Sequence, residues 1–130
     1  MSNSWNSLYK SACEVLNAKT IMPFLSYGNN ACAILSNDNI YTGISINSNE
    51  HIGSCAEQNA IISMLKNGDN NISKIVIVNE LEEIINPCQD CIIQILELSN
   101  NEAEILQNLK PLNTIKVKEL LPDWWGTYHQ

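Results

Sequence analysis

Two short segments of this 130-residue chain carry residue types that could do chemistry together: Cys55-Ala56-Glu57 and Pro87-Cys88-Gln89-Asp90-Cys91. Thiolates at i and i+3 on the first turn of a helix point the same way, so Cys88 and Cys91 can reach one ion. A third thiolate from another helix, Cys55, leaves the fourth tetrahedral position open. Three protein ligands and an open position are the pattern of catalytic zinc, whereas structural zinc closes its shell with four. Cys13 and Cys32 lie in apolar-patterned stretches that suit buried free thiols. His51 and His129 have no metal-motif neighbour, so no fourth ligand is expected. A cysteine at a helix start is also expected to favour its thiolate, and zinc displaces the remaining protons.

Zinc in an open site lowers the pKa of its water to roughly 7. One carboxylate beside that water can collect its proton and hand it on. Glu57 lies two residues after Cys55, close enough to reach the open position without ligating. The residues alone leave other readings open. Glu57 also suits the first turn of any helix. Cys88 and Cys91 could form a redox pair or half of a structural zinc site, and the whole could be a non-catalytic zinc-binding module. A redox pair requires a reversible disulfide and no tightly held zinc.

The elements that must position these groups can be read from periodicity. Trp5, Leu8, Tyr9, Ala12, Cys13 and Leu16 recur at helical spacing, so residues 4–18 read as an amphipathic helix. Pro23 and Gly28 break the next stretch into a loop. Residues 31–35 and 40–46 read as strands, with Ser36, Asn37, Asp38 and Asn39 as the turn of a hairpin. From Cys55 the pattern is helical, with Ala56, Ala60, Ile61, Met64 and Leu65 on one face and Gly68 as the stop. Lys74–Val78 is a continuous apolar strand of the kind buried on both faces. Pro87 introduces a second helix, with Cys91, Ile92, Ile95, Leu96 and Leu98 apolar. Residues 103–106 read as a fourth strand and 114–121 as a last short element. This order suggests an α/β sandwich with a mixed sheet.

The bulk numbers bound the function. The length fits one domain, residues 1–130. A net charge of −7, with seven scattered basic residues, argues against a nucleic-acid partner. No stretch approaches the roughly 18 apolar residues of a membrane span, which gives a cytoplasmic reading. Five cysteines, an odd number, count against a disulfide framework.

Cys55-Ala56-Glu57 coupled to Pro87-Cys88-x-x-Cys91 resembles the cytidine deaminase superfamily, whose zinc site and non-ligand glutamate are a known chemistry. The likeness extends to Ala31–Leu35, to Ile40-Tyr41-Thr42-Gly43 and to Glu119-Leu120-Leu121-Pro122. It implies a three-layer α/β/α sandwich with a mixed sheet of about five strands and one Zn²⁺ per subunit. Cysteine at position 55 resembles the free-nucleoside branch. The implied reaction is hydrolytic deamination of cytidine or deoxycytidine, as in pyrimidine salvage, with Glu57 moving protons to the ring nitrogen and the departing amine. It further implies substrate contacts from Tyr27, Ser45, Asn47, Ala56 and Trp125, and a homo-oligomer, a tetramer ahead of a dimer.

Departures from the family pattern cluster around the substrate. Ser45 and Asn47 stand where the family has Asn and Glu holding the ribose, so a carboxylate acceptor has become an amide. Blasticidin S deaminase also lacks that Glu, which makes an altered sugar an alternative. Gln58 and Ile92 replace two arginines near the thiolates, leaving the zinc site net negative. Trp124 and Trp125 also suit anchoring the tail on the core.

Overall fold

A computed structural model describes residues 5–18, 25–48, 55–99 and 102–120; of 18, 25–29 and 46–48 it describes the backbone alone. The expected Pro23, Leu121, Pro122, Trp124 and Trp125 features lie outside these residues.

Helix α1 (Trp5–Ala18) precedes a hairpin of β1 (Leu25–Ser36) and β2 (Asn39–Ser48). Helix α2 (Ala56–Lys66), β3 (Lys74–Val78), a two-residue β4 (Ile84–Ile85) and α3 (Gln89–Glu97) come next. The described chain closes with β5 (Glu104–Leu109), β6 (Leu112–Lys116) and a 3₁₀ turn at Val117–Leu120. The sheet has six strands in the order β2-β1-β3-β5-β6, with β4 paired to β3. It is mixed, because β3 and β5 run parallel while the other pairs are antiparallel.

Period-2 alternation sorts the strand residues into two cores. Ala31, Ala33 and Leu35 of β1 and Val76 and Val78 of β3 face α1, meeting Leu8, Ala12, Cys13 and Leu16. Cys32, Ile34, Ile75 and Ile77 point the other way, onto Ala60, Met64, Ile92 and Ile95 of α2 and α3. These cores make three layers, α1 over the sheet and the sheet over α2 and α3. The apolar run of β3 is explained by its place between them.

The hairpin turn is two residues, Asn37 and Asp38, with φ of +50° and +68°. That is the type I′ geometry for which Asn and Asp are favoured. Asp69, in the connection after α2, fastens this turn by accepting from Asn37 at 2.9 Å, from Asn39 at 3.1 Å and from the Tyr41 hydroxyl.

Gly43 is the point where β2 meets α2. A Cβ there would stand 2.4 Å from Ala60 N and 2.5 Å from the Ala56 carbonyl oxygen. Both are backbone atoms, so the helix itself would have to move. Gly43→Ala is therefore expected to cost about 3 kcal/mol or more of stability, measurable by denaturant titration.

Three expectations are corrected. Gly28 does not open a loop but lies within β1, whose pairing with β2 begins at Leu25. Leu65 is half-exposed instead of facing the core. Glu57, Ala60, Ile61 and Met64 take the inward face of α2, and Leu65 is turned into a groove shared with Leu98, the C-cap of α3. The last short element is in fact a strand and a 3₁₀ turn, because residues 112–116 add an edge strand to β5.

Candidate metal centre and active site

Cys55 is the N-cap of α2 (φ −75°, ψ 152°) and Cys88 the N-cap of α3 (φ −71°, ψ 162°). Extended backbone at a cap turns the residue out of the helix while its carbonyl accepts the first helical bond. The Cys55 carbonyl accepts from Asn59 N–H at 3.1 Å, and the Cys88 carbonyl from Ile92 N–H at 3.0 Å. Cys91 is the third residue of α3 and fully buried. Cys55 Sγ lies 3.6 Å from Cys88 Sγ, which lies 3.1 Å from Cys91 Sγ, and all three fall within 4.8 Å of one another.

This donor set suits zinc. Zn–S bonds of about 2.3 Å at tetrahedral angles put sulfurs about 3.8 Å apart. The thiols need only small adjustments to reach that spacing. Among the described residues no other histidine, cysteine or carboxylate group of this kind is gathered. Cys13 and Cys32 are buried in the two cores, as the sequence pattern suggested.

Glu57 belongs to the same site. It is only 5% exposed, and its Oε2 accepts the Cys88 backbone N–H at 3.1 Å. A side chain of one helix start therefore holds the cap of the other. Sequence spacing suggested that Glu57 reaches the metal position, but the bond to Cys88 N–H depends on how α2 and α3 sit together.

The protonation of Cys55 and Cys91 departs from expectation. Burial, then the neighbouring Cys88, pushes the Cys55 thiol up from the ordinary range. Burial also pushes Cys91 far above it, with Cys88, Glu57 and Cys55 adding to the effect. Desolvation outweighs the helix-terminus field here. Metal uptake must expel these protons, so zinc binding tightens as pH rises. Competition against a chromophoric chelator between about pH 6 and 8 should show affinity climbing by at least about two decades per pH unit, one from each of these two thiols. A flat profile would mean that they are already ionised without metal.

The remaining sequence candidates are spread over the hairpin and the two helix starts. Ala56 is buried, its carbonyl pressed towards Gly43. Tyr27 pairs in register with Ile46, and Asn47 with Ser26, at the far end of the hairpin from its turn. The Ser45 hydroxyl is engaged with the Asn30 backbone. Trp125 lies outside the described residues. Gln58 accepts the Cys55 N–H on Oε1 at 3.4 Å, and Ile92 is buried among core residues. Neither position supplies a cation, and the chain contains no arginine.

The fold is similar to three crystal structures of cytidine deaminases. That from Mycobacterium tuberculosis has a TM-score of 0.77 at 21% identity, covering 94% of this chain and 97% of that one. The Mycobacterium leprae structure gives 0.77 at 20%, covering 94% and 100%. The Burkholderia pseudomallei structure gives 0.72 at 24%, covering 93% and 98%. No curated protein sequence matches. The family model for the zinc-binding region of cytidine and deoxycytidylate deaminases matches residues 5–106. The chain belongs to this family of zinc-dependent hydrolytic deaminases.

Proposed function

We propose that the protein removes the 4-amino group of a cytosine nucleoside, cytidine or deoxycytidine, by hydrolysis to the uracil nucleoside and ammonia. The observation that carries this reading is Glu57: a carboxylate sealed from bulk water, anchored by one oxygen, beside three gathered thiols.

Cys55, Cys88 and Cys91 would hold one zinc. When bound, zinc supplies Lewis acidity that makes water a nucleophile near neutral pH. With Oε2 held by Cys88 N–H, Oε1 of Glu57 is the oxygen that takes the proton of the attacking water. Glu57 gives that proton to the ring nitrogen next to C4, and a second proton leaves with the amine as ammonia. One water is consumed for each ammonia released. Tyr27 and Asn47 at the strand ends, Ala56 at the helix start and Trp125 in the tail would line the nucleoside. Absence of arginine supports an unphosphorylated substrate, because bidentate guanidinium contacts commonly read phosphate.

Asn47 favours a second reading. An amide in place of a carboxylate suits a sugar other than ribose, as in blasticidin S. We read residues 1–130 as one cytoplasmic domain that forms a homo-oligomer, a tetramer ahead of a dimer. Ile62 and Leu65 are 53% and 47% exposed along α2, and with Leu98 they line an apolar groove of about 430 Å³ that assembly could cover. Sedimentation of the zinc-loaded protein tests this.

Ammonia release from cytidine, deoxycytidine, deoxycytidylate and blasticidin S tests the function. Turnover of a free nucleoside well above the nucleotide is expected. Turnover of blasticidin S alone would select the second reading, and silence on all four would remove the cytosine assignment.

A further inference from the structure

Two side chains connect the helix that carries Glu57 to the edge of the sheet. Asn59, two residues after Glu57, donates from Nδ2 to the Ile44 carbonyl oxygen at 2.7 Å. The next residue, Ser45, accepts the Asn30 N–H on Oγ at 3.2 Å and donates to the Asn30 carbonyl oxygen at 3.4 Å. Asn30 lies where pairing jumps from Tyr27↔Ile46 to Ala31↔Ile44, so three residues of β1 face one of β2. A bulge leaves backbone groups without ladder partners and weakens the register beyond it. One hydroxyl satisfies both groups of Asn30. A serine hydroxyl has a single proton to donate, and here the Asn30 carbonyl oxygen is the acceptor that faces it.

We propose that Asn59 and Ser45 are positioning residues for the deamination. The Asn59 amide locks β2 to α2, and the Ser45 hydroxyl locks the bulge of β1 to β2. Together they hold the strand ends bearing Tyr27 and Asn47 in one register relative to Glu57. Ser45 thus acts on the nucleoside through the backbone of β1 and makes no donor contact with the sugar. The inference rests on the nucleoside deaminase reading.

The test uses zinc-loaded Asn59→Ala, Ser45→Ala and Ser45→Thr, assayed on cytidine and on 3′-deoxycytidine. Hydrogen exchange is followed at the amides of residues 28–30 and 44–46. Each alanine variant should raise KM about tenfold while kcat stays within about threefold, by the same factor on both nucleosides. Ser45→Thr, which keeps the hydroxyl, should restore KM. Exchange at the Asn30 amide should quicken at least about tenfold in both alanine variants. A Ser45→Ala penalty that vanishes on 3′-deoxycytidine would overturn the proposal, because the hydroxyl would then read the sugar. Unchanged KM in folded variants would overturn it too, leaving these bonds a purely structural role. If the unmodified protein turned over neither nucleoside, the functional reading would fail on its own. The bond relay would then be decided by exchange: quickened in both variants it stands, unchanged it falls.

Discussion

Glu57→Gln should keep one zinc per chain and lose about 10⁴-fold in kcat, the upper range for a positioned proton-transfer group. Zinc is retained because the side chain is not a ligand. The fold is retained because a glutamine amide oxygen can still accept the Cys88 N–H that Glu57 Oε2 accepts at 3.1 Å. What disappears is the capacity to take a proton and return it. KM should change by less than about tenfold, since a loss confined to kcat marks an interaction made in the transition state. A variant within tenfold of the parent would mean that another group carries the protons. Loss of zinc or a collapse in thermal stability would recast Glu57 as a strut between two helix starts.

Removing a thiol should have a different signature. Cys91→Ala is expected to weaken zinc binding by at least about 10³-fold, because the remaining two thiols do not fill a catalytic zinc shell. A ligand present at 1,000 times its Kd adds about 4 kcal/mol to folded-state stability. Losing that should lower the melting temperature by about 10–20 °C for a domain of this size. Cys32→Ala is the control: its thiol is equally buried but lies in the core outside the gathered group. That variant should keep its zinc while losing only packing, on the order of 1 kcal/mol. Zinc content by atomic absorption, paired with melting curves with and without chelator, separates the cases. A reversible Cys88–Cys91 disulfide with no bound zinc would establish the redox alternative.

The parts of this molecule that were legible in the sequence are those with strong local signals. Spacing of i and i+3 at Cys88 and Cys91 carries its own geometry, since the side chain of a helix N-cap lies against the third residue of the first turn. The unbroken Lys74–Val78 run and the Asn37-Asp38 turn are equally local, and the structure has both. Misread elements were those decided by distant partners. Strand β6 is largely polar and half-exposed at a sheet edge, so it lacks the alternation that marks a half-buried strand. The two-residue β4 is too short to show a period. Residues 28–30 contain a glycine and two asparagines and read as loop, yet their backbone continues β1 through a bulge closed by Ser45. The proton balance of Cys55 and Cys91 was hidden for the same reason. Helix position is written locally, but the burial that raises Cys55 and Cys91 comes from packing across the whole site.

Cys55 and Cys88 each serve as the residue from which a helix begins. Helices ordinarily fray at their ends, where the terminal backbone groups lack partners. With zinc held by Cys55, Cys88 and Cys91, the first turns of α2 and α3 would not unwind without moving a sulfur away from the gathered group. Fraying and demetallation would thereby be one event, with a bound ion adding a second knot to the two helix starts that Glu57 already joins through the Cys88 N–H. Protease nicking of residues 55–59 and 88–92 should accordingly track metal occupancy. Limited proteolysis would then serve as a gauge of how much of a sample is loaded, even where no substrate is at hand.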